Sequence, residues 1–240
     1  MKIVSSLFFI LALLSCTPVY LPNSRNVPMF SKGGEVQGNF SFGSGYNMQA
    51  AVSITDHIGI MANGMYADSK SLDRKVNKYT FGEVGIGYYS NNNDKYYFDF
   101  FGGYGTGQST SSDSVYAFHP TAFSGYDIHL SSATYHRYFI QPSIGIKRKH
   151  FHGAIAYRFS LMDFKNGVQN GKNIDISRSP VVFLEPAFVA KFPFEKFVIS
   201  LQAGVSSPMN KADLYFDYVP FVFSTGIGFR LGYQPKQPKP

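Results

Sequence analysis

Tryptophan is absent from the 240 residues, and cysteine occurs once, at Cys16. One cysteine excludes an internal disulfide framework and leaves no thiol set for a zinc or redox centre. Charge is also scarce, at 15% of residues, where ordinary globular chains carry about 25%. That scarcity excludes a disordered tail, a coiled coil and a charged solenoid, all of which need more charge and fewer aromatics. No helical periodicity is found from Gly34 onward. The leading apolar run, Ile3 to Leu14, is too short to cross a bilayer as a helix. What the chain does have is aromatic surface, with 24 Phe and 17 Tyr, together with 23 Gly and 13 Pro. The net charge of +7 suits an anionic partner, but charge alone does not make a nucleic-acid binder, and none is expected.

Lys2 and the apolar run form a secretory leader over residues 1–15. Its ending, Leu13-Leu14-Ser15-Cys16, resembles the bacterial lipobox. In that motif the cysteine is acylated and becomes the new N-terminus, so Cys16 is the expected lipidation site. Two or more acyl chains anchor firmly where one holds only marginally. An ordinary leader with a chance cysteine is the alternative. Residues 16–33 hold Pro18, Pro22 and Pro28 among small polar residues and are expected to be a lipidated, extended tether. The tether lacks the acidic residues that resemble surface-export signals in some lipoproteins. An N-terminal lipid anchor facing the periplasm is therefore expected.

Residues 34–233 alternate with period two, and alternation puts successive side chains on opposite faces of a strand. The pattern predicts strands over Glu35–Phe42, Tyr46–Thr55, Ile58–Ala67, Tyr79–Tyr89 and Tyr96–Thr106. It continues over Tyr135–Lys147, Phe151–Leu161, Val181–Phe192, Phe197–Ser206 and Val219–Tyr233. The third segment has apolar residues on both faces, so its outward side is ambiguous. Links near Asp56, Asn92, Lys149 and Glu195 are short. Those over Ala67–Lys78, Gly107–Thr134, Met162–Pro180 and Ser207–Tyr218 are long and polar. The short link at Gly43-Ser44-Gly45 is the exception. Short turns at one end and long loops at the other mark an outer-membrane barrel. The expected fold is all-β: a closed, antiparallel, up-and-down transmembrane β-barrel of about ten strands, with eight and twelve left open. A Pro/Lys-rich tail, residues 234–240, follows.

Face chemistry separates membrane from water. One face of each strand carries Phe, Tyr and Ile, while the other carries lone charges among Gly, Ser, Thr and Gln. A soluble barrel would turn the apolar face inward and need filling. A membrane barrel puts it against lipid and satisfies every backbone group by closure. By parity Glu83, Asp99, Arg137, Arg158, Glu185 and Arg230 point inward, with Lys147 and Lys191 as further candidates. Unpaired buried charges are costly, so a salt-bridged plug is expected, and Arg is the better partner for a carboxylate. The alternative is a narrow channel for a small polar or anionic solute.

Catalytic signals are slight. His129-Leu-Ser131, with Asp163 near the long-loop end, is reminiscent of the His-x-Ser arrangement of outer-membrane lipid A deacylases. That makes a lipid-modifying enzyme a further alternative, the simpler reading being polar loop residues. His150 and His152 could share one strand face but lack a third ligand, so neither metal nor cofactor is expected. The basic turn Lys147-Arg148-Lys149-His150 would meet lipid phosphates or solvent. Gly85-x-Gly87 and Gly102-Gly103-x-Gly105 lie in strands with no following helix, which excludes a phosphate loop.

Asn26-Val-Pro-Met-Phe30 with Lys32-Gly-Gly-Glu35, Thr55 to Gly64, Glu83 to Tyr89 and Arg137 to Gly145 resemble a group of uncharacterised outer-membrane barrel lipoproteins of Bacteroidota. The resemblance implies location and fold and carries no activity. Gly228-x-x-Leu231-x-Tyr233 resembles the C-terminal signal read by barrel-insertion machinery, although Gln234–Pro240 follows it. The sequence thus points to a structural or interaction role. The expected partners are membrane lipids, the insertion machinery and another outer-membrane protein met through the long loops.

Overall fold

The computed structural model describes residues 20–70, 76–92, 95–117, 125–169, 172–173, 180–195, 197–209 and 218–232. Over 69–70, 76, 92, 112–117, 125–131 and 169 the description is of the backbone alone. Ten long strands follow in order: β1 (Val36–Phe42), β2 (Tyr46–Ser53), β3 (Ile58–Lys70), β4 (Val76–Asn92), β5 (Tyr96–Ala117), β6 (Gly125–Arg148), β7 (Phe151–Gln169), β9 (Val181–Pro193), β10 (Val198–Val205) and β12 (Phe221–Leu231). Two two-residue pieces, β8 (Lys172–Asn173) and β11 (Ser207–Pro208), pair with the ends of β7 and β9. Every long strand pairs antiparallel with its sequential neighbour, and β1 pairs with β12 from Val36↔Leu231 to Phe42↔Thr225. That last pairing closes the sheet, so the ten long strands form a barrel with no free edge. Among the described residues no helix is long and apolar enough to cross a membrane.

The pleat sorts the side chains as the alternation requires. Phe40, Met48, Ile60, Val84, Phe100, Ile140, Phe159, Phe188, Leu201 and Ile227 all stand outward and exposed. They ring the barrel in a continuous apolar belt, far beyond the few hundred Å² a water-soluble monomer tolerates. Exposed Tyr46, Tyr66, Tyr104 and Tyr138 lie toward the upper edge of the belt, and Tyr88 and Tyr96 lie toward the lower. Such aromatic girdles are the mark of an outer-membrane-type barrel. The ambiguous third segment resolves in the same sense, with Ile58 and Ile60 outside and Met61 and Asn63 inside.

Among the described residues the long polar links are largely strand. β5 runs on from Gly107 to Ala117 and β6 begins at Gly125, in unbroken register from Gly107↔Tyr135 to Ala117↔Gly125. β3, β4 and β7 likewise extend past their expected upper ends. Above the belt both faces of a strand can meet water, so no apolar alternation survives to betray it. The barrel wall is therefore uneven. It ends at Gly43–Gly45 on the β1–β2 side, while the β5–β6 hairpin stands well above that level.

Ile140→Arg is expected to lower unfolding free energy by about 2–4 kcal/mol in lipid vesicles, whereas Gln108→Arg, above the belt, should cost under about 1 kcal/mol. Urea titration of the two variants distinguishes these outcomes, and equal costs would contradict the assignment of the belt.

Candidate functional site: the chain-filled lumen

An eight-stranded barrel is just filled by its own side chains, and ten strands leave more room. The extra room is occupied. All eleven residues from Tyr20 to Phe30 are buried, and they run lengthwise through the barrel before the chain turns into β1. Pro22 and Pro28 suit this path, since proline favours extended backbone and carries no N–H to satisfy. Met29 takes a positive φ of 56° just after Pro28, and Gly34, at φ 80°, reverses the chain into β1. A residue with a side chain would be strained at Gly34.

A strand inside a barrel has no ladder partner, yet its buried backbone groups must be paired. Wall side chains pair eight of them, from Ser24 to Phe30. Asn47 Oδ1 accepts from Ser24 N at 3.0 Å, and Gln49 Nε2 donates to Ser24 O at 3.0 Å. Gln202 takes both main-chain groups of Arg25, accepting from N at 2.7 Å and donating to O at 2.9 Å. Gln141 Nε2 donates to Asn26 O at 2.8 Å, and Lys191 Nζ donates to Val27 O at 2.7 Å. Arg230 serves Met29 O at 3.0 Å, and Lys147 Nζ serves Phe30 O at 2.5 Å.

The lumen has a charged centre. Glu83 accepts from Arg137, from Arg158 at 3.0 Å, from Asn63 at 2.6 Å and from Asn23 of the threaded segment at 3.2 Å. Glu185 is bound by Arg25 of the segment at 3.1 Å, by the Tyr20 hydroxyl at 2.8 Å, and by Ser160 at 2.6 Å and Ser206 at 3.1 Å. Arg137 also donates to Tyr20 Oη and Asn23 Oδ1, so it ties both halves together. Its guanidinium lies 4.0 Å from the centroid of Phe81, and that of Arg158 lies 4.5 Å from Phe139. These cations are thus sandwiched between carboxylate and ring. Gly103, Gly105 and Gly107 line β5 where Phe139, Phe81 and Tyr135 lie across it. A Cβ at any of the three would strike the adjoining ring.

Apolar clusters lie above and below. Tyr20 and Leu21 pack among Phe81, Tyr135, Phe164 and Phe183. Val27 and Met29 pack on Tyr97, Ala154 and Val189, and Phe30 packs on Tyr89, Met61 and Phe101. Near the short turns Arg230 grips Glu35 at 2.6 Å, and Glu35 also caps Ser31 N and Lys32 N. A cavity of about 30 Å³ remains beside Asn26, lined in part by His152, Lys191 and Arg230. That is room for about two waters.

Each of the six expected lumen charges points inward, but they do not form one network. Glu83, Arg137 and Arg158 come together at the centre, with Glu185 beside them through Arg25. Arg230 belongs to a separate pair with Glu35. Asp99 is fully buried and joins no ion pair among the described residues. Glu35, Arg25 and Tyr20 are the partners that parity missed. Arg25 and Tyr20 lay in the supposed tether, and Glu35 stands at the foot of β1. The clue was available: Tyr20, Leu21, Val27, Met29 and Phe30 are more apolar surface than a free tether needs. The inward Asn47, Gln49, Asn63, Gln141 and Gln202 are also more donors than the walls alone can use.

The basic turn divides, with Lys147 bonded inside the lumen and Arg148, Lys149 and His150 exposed. His152 is buried inside while His150 is not, and no trio of metal-binding side chains occurs among the described residues. His129 and Ser131 lie on β6, not in a loop, opposite Asp113 and Ser111; their side chains fall outside the described residues. Asp163 sits at a different level, opposite His136, and pairs with Lys165 at 3.0 Å. Cys16 and the tail 234–240 also lie outside the described residues.

Removing the Glu83 carboxylate leaves two buried guanidiniums without their shared counter-ion. Glu83→Ala is expected to lower unfolding free energy by about 3–5 kcal/mol. Exposed Lys165→Ala should cost under about 1 kcal/mol. Urea titration in detergent checks both, and near-equal values would contradict the central role of Glu83.

No family model and no curated protein matches the chain. Among solved structures it is similar to the translocator domain of the autotransporter NalP from Neisseria meningitidis, at 12% identity and a TM-score of 0.45, over 84% of this chain and 90% of that one. It is also similar to the beta domain of the Bordetella autotransporter BrkA, at 10% identity and a TM-score of 0.28, over 82% and 99%.

Proposed function

We propose that the chain is an outer-membrane lipoprotein barrel with a structural or interaction role, non-conducting because its own N-terminal segment fills it. The observation that carries this reading is the unbroken burial of Tyr20–Phe30 with side-chain partners along its length. A solute pathway needs a continuous wet passage, and the buried segment occupies the lumen lengthwise instead. The contact surface is the end that carries the β5–β6 hairpin, since recognition concentrates on projecting segments of a rigid scaffold. Acylation at Cys16 adds a second hold on the membrane beside the belt.

Planar-bilayer recording of the purified full chain tests the reading. The native protein is expected to pass no resolvable current. Replacing Tyr20–Phe30 with a Gly/Ser run of equal length is expected to open steady ion conductance. A second variant, Arg25→Ala with Tyr20→Ala, guards against a failure of the first to fold and is expected to give flickering openings. Steady conductance by the native chain would overturn the closed-barrel role. Palmitate labelling that is lost in Cys16→Ser checks the anchor independently.

A further inference from the structure

The threaded segment has a direction. At its C-terminal end Phe30 packs on Tyr89, and its carbonyl accepts from Lys147. Both residues belong to the short-turn end: Tyr89 N donates to His57 O, and Lys147 N donates to Lys95 O. At the other end Tyr20 forms a parallel bridge with Tyr218, and Val219 N donates to its carbonyl at 3.1 Å. Tyr218 and Val219 lie between β11 and β12, on the long-link end. On the low side of the wall Ser24 is already bonded to Asn47, two residues from the Gly43–Gly45 rim. The chain therefore runs from the long-link end, at Tyr20, down to the short turns, at Phe30.

Covalent reach limits where Cys16 can lie. It is four residues before Tyr20 and stays within roughly 14 Å of it even when fully extended. Tyr20 packs on Tyr135 and the Phe30 carbonyl meets Lys147, twelve residues further along β6, which is roughly 40 Å of strand. Cys16 cannot return to the short-turn end. Arg25 on Glu185, Asn26 on Asn63 and the ring of Tyr20 between Tyr135 and Phe183 hold the segment against sliding. In outer-membrane barrels the short turns face the periplasm.

The geometry points to an N-terminus that leaves the barrel through its long-link end, so that Cys16 and its lipid sit on the cell-surface side. This replaces the periplasmic anchor expected from the sequence. The barrel encloses the span between a surface-side anchor and a first strand that starts at the periplasmic end.

The inference rests on the outer-membrane reading above, and the test separates the two. With Cys16 acylated, Thr17→Cys and Lys149→Cys each place one free thiol in the full chain, on opposite sides of the proposed topology. Intact cells are treated with a membrane-impermeant maleimide and compared with permeabilised cells. Thr17→Cys is expected to label at least tenfold more than Lys149→Cys on intact cells, with the two equal after permeabilisation. Labelling of both from the same side would overturn the threading. Reversed labelling would overturn the surface placement and locate the fault in the barrel's orientation. Palmitate incorporation, measured in parallel, reads the lipid: where it is missing, both variants are compared in a Cys16→Ser background, and surface labelling at Thr17→Cys alone would keep the threading and remove the anchor. An epitope inserted after Thr17, read by antibody on intact cells, repeats the comparison without thiol chemistry and must agree.

Discussion

A chain buried without ladder partners must have its amides and carbonyls paired by something else, and the rest of this structure depends on that requirement. Tyr20–Phe30 is buried, and among the described residues only its first carbonyl, that of Tyr20, meets a neighbouring backbone N–H, that of Val219. The barrel walls answer with amides and cations set at the right heights, from Asn47 and Gln202 to Lys147 near the bottom. An unpaired buried amide or carbonyl costs about 1–3 kcal/mol, so each wall side chain that meets the segment's backbone offsets a cost of that order. The inward face of the barrel is therefore polar for a stated reason: it is the second half of a hydrogen-bonding surface whose first half is the protein's own N-terminal segment.

Ions and apolar groups divide the work in the lumen. A buried ion pair contributes little net stability, because desolvation offsets attraction. Fully burying a large apolar side chain contributes about 1.5–3 kcal/mol. The clusters around Tyr20, Val27 and Phe30 thus supply the favourable energy, and the Glu83 and Glu185 centres set the register. Shifting the segment by one residue would separate Arg25 from Glu185 and Asn26 from Asn63 together. The arrangement tolerates one position and penalises its neighbours. The β5 glycines belong to the same design, since they allow Phe139, Phe81 and Tyr135 to lie flat and leave width for a chain.

Much of the wall was legible in the sequence because lipid enforces alternation. Ile140, Ile144 and Ile146 against Arg137, Gln141 and Lys147 can be read from letters alone, and β6 obeys them. The legibility fails where that enforcement stops. Gln108 to Ser114 is polar on every residue, yet β5 continues through it, because a strand above the belt needs no apolar face. It fails again at Tyr20–Phe30, where prolines and small polar residues look like a tether and no periodicity marks a chain that pairs through side chains of distant strands. Parity turns Glu83, Arg137 and Arg158 inward, and the structure has them buried and paired there. It could not assign Glu185 to Arg25 or Arg230 to Glu35, because that matching depends on where the segment lies.

A plugged barrel with a tall hairpin on one side suits the proposed role, a scaffold that presents surface. The central claim is that the segment lies inside and is paired there. Hydrogen–deuterium exchange of the full chain in lipid nanodiscs tests it most directly. The amides of Ser24 and Arg25, which donate to Asn47 and Gln202, are predicted to exchange as slowly as those of the long strands β4 to β7. Exchange of these amides at the rate of an unstructured peptide, while the strands stay protected, would contradict the account.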